Sequence, residues 1–269
     1  MDILTLAAIA VALSLLMTAA WAAQRLTGHS GWVDVTWSLA VGSCGVLAAL
    51  LPSSGAIDAR RFVVGGLIAL WALRLGWHIA KRTHGGEDDP RYAALIRQWG
   101  KDAGWQLFLF LQIQALAAFV LVVAVRWAAI NPAPFASLSD YAGIALLLVA
   151  VGGEGIADAQ LAQFGKAHKK AVCDTGLWRW SRHPNYFFEW LGWCAWAALA
   201  VTPAEPWSLT ALAAPMLMYA LLVHVSGIPP LEAHMLASRG EAFKAYQSRV
   251  SAFFPLPPKP EPRKPEPAA

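Results

Sequence analysis

The sequence predicts an all-α protein: a polytopic integral membrane bundle of seven transmembrane helices plus a cytosolic amphipathic helix. Three observations predict it. Hydrophobic residues make up 57% of the 269 residues and charged residues only 14%, against about a quarter charged in a soluble globular domain. Apolar runs near the roughly 20 residues that cross a bilayer recur along the chain. Trp21, Trp32, Trp105, Trp127, Trp178, Trp180 and Trp207 stand near the ends of those runs, where an amphipathic ring sits at headgroup level.

The first run, 2–23, has no basic residue ahead of it, so it reads as a span rather than a cleaved signal. The second, 32–51, carries Asp34 and Trp37. The third, 61–80, sets Trp71, Arg74 and His78 on one helical face. The fourth covers 107–129. The fifth, 138–160, carries Glu154 and Asp158 one turn apart, beside Gly152, Gly153 and Gly155. The sixth, 186–203, opens after Gly176-Leu-Trp-Arg-Trp-Ser-Arg-His-Pro-Asn-Tyr186, with Pro184 where a helix can begin. Arg182, Asn185 and Glu189 lie along one stripe there. A turn at Thr202-Pro-Ala-Glu-Pro206 joins it to the seventh, 206–226, which holds His224. The stretch 231–246 is amphipathic and charged, as a helix lying under the bundle requires. Residues 1–255 form one domain, and the Pro-, Lys- and Glu-rich stretch 256–269 predicts a disordered tail.

Charge sets the expected orientation. Apart from Arg60, Arg61, Arg74 and Arg126, every Lys and Arg falls in the first, third and fifth connections or after the seventh span. With seven spans these share one side. The positive-inside rule makes that side cytoplasmic and puts the N-terminus outside, as in a bacterial inner-membrane protein. The net charge of +4 is small, and no basic stripe interleaved with aromatics points to nucleic acid. Cys44, Cys173 and Cys194 have neither disulfide-framework nor zinc-ligand spacing. The glycines near Glu154 lack the strand-then-helix context of a dinucleotide fingerprint.

Ionisable residues at membrane depth mark functional sites. Asp34, His78, Asp158 and the Arg182–Glu189 stripe all fall at the expected cytoplasmic ends of their spans. Both signs of charge gathered at one face suit an anionic ligand with hydroxyl or amide donors. Structural readings stand beside this one. Arg74 could snorkel or pair with Asp34, Glu154 and Asp158 could meet Lys166 or Arg179, and His84-Gly-Gly-Glu-Asp-Asp-Pro-Arg-Tyr92 could be a solvated turn.

The 176–186 motif, Glu189 and Gly240-Glu-Ala-Phe-Lys-Ala-Tyr-Gln-Ser-Arg-Val-Ser-Ala-Phe-Phe-Pro255 resemble the steroid 5α-reductase-like superfamily, most closely its bacterial branch of uncharacterised membrane enzymes. Asp34 with Trp37, Arg74, and the loop residues Glu87, Asp88, Arg91 and Tyr92 extend the resemblance over most of the chain. It implies a seven-helix bundle holding NADPH in a cytosol-facing cavity. Glu154 and Asp158 match cofactor contacts of the fifth span, and Asn185 and Glu189 those of the sixth, with His183 and Tyr186 beside them. Lys166, Arg179 and Arg182 would grip phosphates. Arg74, Glu87, Asp88 and Arg91 would also face the cofactor, and Glu232 and His234 would close the site. The pattern departs at Trp71, where such reductases carry Tyr, at Asp34 in place of Glu, and at Ile228-Pro-Pro-Leu-Glu232.

The implied activity is NADPH-dependent reduction of an activated, enone-type C=C bond in a lipophilic, steroid-like substrate drawn from the membrane. Asp34 or Tyr92 would donate the proton. A second resemblance competes. Isoprenylcysteine and phospholipid methyltransferases, which use S-adenosylmethionine, share Arg-His-Pro-x-Tyr (Arg182 to Tyr186) and the Tyr-x-x-x-Val…Pro ending (Tyr246, Val250, Pro255). Asn185 and the acid pair of the fifth span favour the reductase, and Glu232 is followed by Ala233 rather than a second glutamate. A transporter or lipid-binding bundle is the non-enzymatic alternative, and no inverted repeat supports it.

Overall fold

The computed structural model describes residues 2–51, 58–84, 89–168 and 171–260. Among these residues every regular element is a helix, and the sole extended pairing is an isolated bridge between Thr202 and Glu205. The α-helices are α1 Ile3–Thr27, α2 Trp32–Leu50, α3 Ala59–His84, α4 Pro90–Trp99, α5 Ala103–Ala129, α6 Leu138–Ala167, α7 Pro184–Ala200, α8 Ala213–Tyr219, α9 Ile228–Arg239 and α10 Glu241–Arg249. Among the described residues six stretches are long and apolar enough to cross a membrane: Ile3–Thr27, Trp32–Leu50, Ala59–His84, Arg91–Ala129, Leu138–Ala167 and Pro206–Arg239. The chain is therefore an integral membrane protein of helical type. The expected sixth span is α7, with 17 residues. At 1.5 Å per residue it reaches about 26 Å, short of the roughly 30 Å hydrocarbon core.

Several expected boundaries move. The third connection is not irregular. Asp89 accepts a hydrogen bond from the Arg91 backbone N–H and caps α4, whose first residue is Pro90. The expected seventh span is not one regular helix. It runs as a 3-10 segment over Pro206–Leu212, then α8, then a π segment over Ala220–Val225 that contains His224. Pro215, inside the run, removes a backbone donor, which interrupts the regular ladder. The amphipathic stretch divides into α9 and α10 because Gly240 adopts φ +53, a positive-φ conformation that glycine tolerates and a helix cannot continue through. The start of the tail is ordered, since Leu256 N–H bonds Trp180 O and Lys259 N–H bonds Arg249 O, both at 2.9 Å. Residues 261–269 lie outside the described ones.

The chain divides into two compact units, Met1–Leu147 with Trp193–Leu217, and Leu148–Gly192 with Met218–Ala269. In the first, α2 lies against α1, α3 and α5. Small residues allow the α2–α3 approach. A Cβ placed on Gly42 would stand 2.2 Å from the Ala72 Cβ. Gly42→Leu is therefore expected to cost about 1–3 kcal/mol through overpacking. Gly66→Leu, where nothing lies within 4 Å, is the control with little effect. Thermal unfolding of the two purified variants separates them.

Arg60, Arg61 and Arg126, which fall outside the basic connections, are buried. Arg60 pairs with Asp140 at 2.6 Å and donates to Ala133 O, with both side chains almost fully enclosed. Arg126 donates to Ala48 O and Leu51 O at 2.7 Å, and Arg61 donates to Leu51 O. The Arg126 and Arg61 guanidiniums satisfy carbonyls at the end of α2 that have no partner within the helix.

In the second unit the C-terminal segment packs on the stretch before α7. Phe243, Tyr246 and Val250 form a small core with Val172, Met235 and Leu236. Phe187, Trp190, Tyr219, Phe253 and Phe254 meet mainly edge to face, with centroids 5.1–6.3 Å apart.

Candidate functional site

Each unit carries one polar cluster. In the second unit it is built on the 176–186 motif. Gly176 turns the chain with φ +59, and a 3-10 helix follows over Gly176–Arg179. Trp178 Nε1–H donates to Ala157 O at 3.0 Å, and Gln160 Oε1 accepts from Leu177 N–H at 2.9 Å, fixing the motif against α6. Ser181 Oγ accepts from His183 N–H and donates to Phe253 O. Tyr246 O–H donates to Trp178 O. α7 then starts at Pro184.

This placement brings together residues that the sequence put on different spans. Asn185 Nδ2–H donates to Asp158 Oδ1 at 3.3 Å. Glu154, Asp158 and Glu189 are all buried, and Tyr186 stacks on His183 with centroids 5.5 Å apart. Lys166, Arg179 and His234 are exposed, and among the described residues none of them has an ion-pair partner within 4.0 Å.

Arg182 departs from the phosphate-gripping role. Its guanidinium meets the Glu232 carboxylate at 2.7 and 3.1 Å and donates to Gln247 O and Val250 O, while its backbone N–H bonds Ser251 O at 2.8 Å. It anchors the C-terminal segment. Glu232 also faces His183 Nε2 at 2.9 Å and accepts from Gln247 Nε2–H at 2.7 Å. The Glu232 carboxylate is thus the hub of a clasp joining α9 and α10 to the 182–183 turn.

Burial holds the His183 imidazole below its ordinary pKa, against the opposing pull of Glu232. The ring is neutral at pH 7. With Glu232 accepting from Nε2–H, Nδ1 is left as an acceptor. Among the described residues that buried nitrogen has no hydrogen-bond partner. A buried acceptor without a donor is costly and fits an incoming hydroxyl or amide.

The first unit's cluster unites both proton-donor candidates. Tyr92 O–H donates to Asp34 Oδ1 at 2.8 Å and accepts from Gln114 Nε2–H at 2.9 Å. The Arg91 guanidinium bonds the other Asp34 oxygen and Asp89. The cation beside Asp34 is therefore Arg91, where the sequence had offered Arg74. Arg74 is half-buried on α3, and Trp71 packs edge to face on Trp193. Burial alone would raise the Asp89 carboxyl, but the hydrogen bonds and charge of Arg91 outweigh it and hold the group below its ordinary value. Asp34 receives two donors, so it is the acceptor of this pair and Tyr92 carries the proton. Glu87 and Asp88 lie outside the described residues.

Gln114 and Gln247 fall outside the sequence expectations. Gln114 was legible, because an amide inside an apolar span is as unusual as a charge. Gln247 looks like any surface glutamine of an amphipathic helix.

Residues 20–250 match the family described as "Protein of unknown function (DUF1295)". The chain belongs to the DUF1295 family. DUF1295 falls within the steroid 5-alpha reductase-like group. Over 84 residues this DUF1295 chain is 32% identical to an uncharacterized protein of Schizosaccharomyces pombe, covering 30% of this chain and 23% of that one. The match thus spans under a quarter of the relative's length. No solved structure matches.

Proposed function

We propose that this DUF1295 protein is an NADPH-dependent membrane reductase acting on an activated, enone-type C=C bond of a lipophilic, steroid-like substrate. The observation that carries the reading is the Asp158–Asn185 hydrogen bond beside buried Glu154 and Glu189. Carboxylates suit ribose hydroxyls, an amide suits a carboxamide, and the buried Nδ1 of His183 accepts one further donor. Lys166 and Arg179, exposed and without ion-pair partners among the described residues, are the cations for phosphate. NADPH, when bound, supplies the hydride. The protein's own part is to orient that group, exclude water and deliver a proton. Tyr92 holds the proton, Asp34 accepts its hydrogen bond, and Arg91 keeps a positive charge beside Asp34. The distribution of Lys and Arg supports an orientation with the N-terminus outside and the basic connections in the cytoplasm.

Thermal unfolding of the detergent-purified protein tests the cofactor. NADPH at about a hundred times its Kd stabilises by about 2.7 kcal/mol through linkage, whereas S-adenosylmethionine leaves the midpoint unchanged. Asn185→Ala loses most of the NADPH shift. A shift with S-adenosylmethionine alone would move the protein to the methyltransferases. A shift with neither would return it to the non-enzymatic bundles.

A further inference from the structure

A cavity of about 410 Å³ opens in the first unit, at the end of the helices remote from Asp34. Arg126, which donates to Ala48 O and Leu51 O, fixes that end of α5 beside the end of α2. Asp34 and Ala48 are 14 residues apart on α2, about 21 Å at 1.5 Å per residue. The cavity and the Asp34 cluster are therefore separate places.

Its walls have two chemistries. Leu6 of α1 and the α5 residues Phe119 and Val123 form an apolar stripe. Val123 is followed one turn later by Trp127, so the stripe leads along one face of α5 to an indole. At that end stand Trp127, Trp207 and the Glu205 carboxylate. One hydroxyl ties the Trp127 indole to the Trp207 backbone. Thr210 Oγ1 accepts from Trp127 Nε1–H at 2.8 Å and donates to Trp207 O at 2.7 Å. Trp207 is 73% exposed.

Glu205 accepts the Trp207 backbone N–H at 3.3 Å. Among the described residues no Lys, Arg or His lies within 4.0 Å of its carboxylate. A carboxylate and two tryptophans lining one cavity are complementary to an organic cation, because ring quadrupoles and a carboxylate attract the same sign. A bare metal ion fits poorly, since no group of three or more His, Cys, Asp or Glu side chains gathers among the described residues.

We infer that this cavity binds the ammonium headgroup of a zwitterionic membrane lipid, with the acyl chain along Leu6, Phe119 and Val123. The apolar stripe leading away from the carboxylate selects the lipid over a free amine.

The test is native mass spectrometry of the full chain in detergent. Phosphatidylethanolamine and phosphatidylglycerol with identical acyl chains are added, with ethanolamine hydrochloride as a third arm. The wild-type protein is expected to retain phosphatidylethanolamine about tenfold more tightly than phosphatidylglycerol. Glu205→Gln keeps the acceptor for Trp207 N–H, so the turn survives, and the preference disappears. Trp207→Ala, at an exposed position, weakens phosphatidylethanolamine by a similar factor. Equal retention of the two lipids, an unchanged preference in Glu205→Gln, or displacement of the lipid by equimolar ethanolamine would each overturn the assignment.

Discussion

Glu232→Ala is expected to release the C-terminal helices. The substitution leaves the Arg182 guanidinium, His183 Nε2–H and Gln247 Nε2–H without their shared acceptor. Removing one partner of a fully buried ion pair costs about 3–5 kcal/mol. Arg182 and Glu232 are 11% and 13% exposed, so the lower end, about 3 kcal/mol, applies. Limited proteolysis within α9 and α10 reads the loss directly, and Glu232→Gln, which keeps an acceptor but not the charge, falls between. A cleavage rate equal to wild type would show that the clasp does not hold the segment.

The same clasp is sensitive to acid. The folded His183 pKa lies below the ordinary value of 6.5. The unfolded chain therefore takes up the proton first as pH falls. The stability contributed by the neutral ring is fully present above that value. It is lost as pH falls from there through the depressed folded pKa. Proteolysis of α9 and α10 should therefore accelerate below about pH 6.5.

The second large effect is on turnover. Tyr92→Phe is expected to lower the rate of enone reduction by about 10²–10⁴-fold, the range for a positioned proton donor. NADPH affinity should not change, because the phenol oxygen bonds Asp34 and Gln114, neither of them assigned to the cofactor. The variant also leaves the Gln114 amide and one Asp34 oxygen without a partner, at about 1–3 kcal/mol. The thermal midpoint must accordingly be measured alongside the rate. NADPH oxidation with a lipophilic enone, followed spectroscopically, gives the readout. Undiminished turnover in a folded Tyr92→Phe protein would take the proton from another group.

The legible and illegible parts of these two clusters divide on a physical line. Asp34, Tyr92, Asp158, Asn185 and Glu189 stood out because ionisable and amide groups are rare in apolar runs. Their hydrogen bonds, Tyr92 to Asp34 and Asn185 to Asp158, span 58 and 27 residues. Helical period places each residue on a face but says nothing about which distant face it meets. Arg182 shows the limit. As a cation in a polar motif it suited a phosphate, yet the carboxylate 50 residues later takes it.

Composition and run length by themselves determined an all-helical membrane protein, because roughly 20 apolar residues leave the backbone few ways to satisfy its polar groups except as a helix within the bilayer. The first-turn preference of proline marked the start of α7 at Pro184, and the rarity of polar groups in apolar runs named the cast of polar residues. Tertiary structure alone decided that Arg91 rather than Arg74 faces Asp34 and that Glu232 gathers Arg182, His183 and Gln247. It alone decided that Arg60 and Arg126 are interior and that Gly240 splits the amphipathic helix. Those outcomes depend on side-chain reach and desolvation between segments far apart in sequence, and a local pattern carries no record of either.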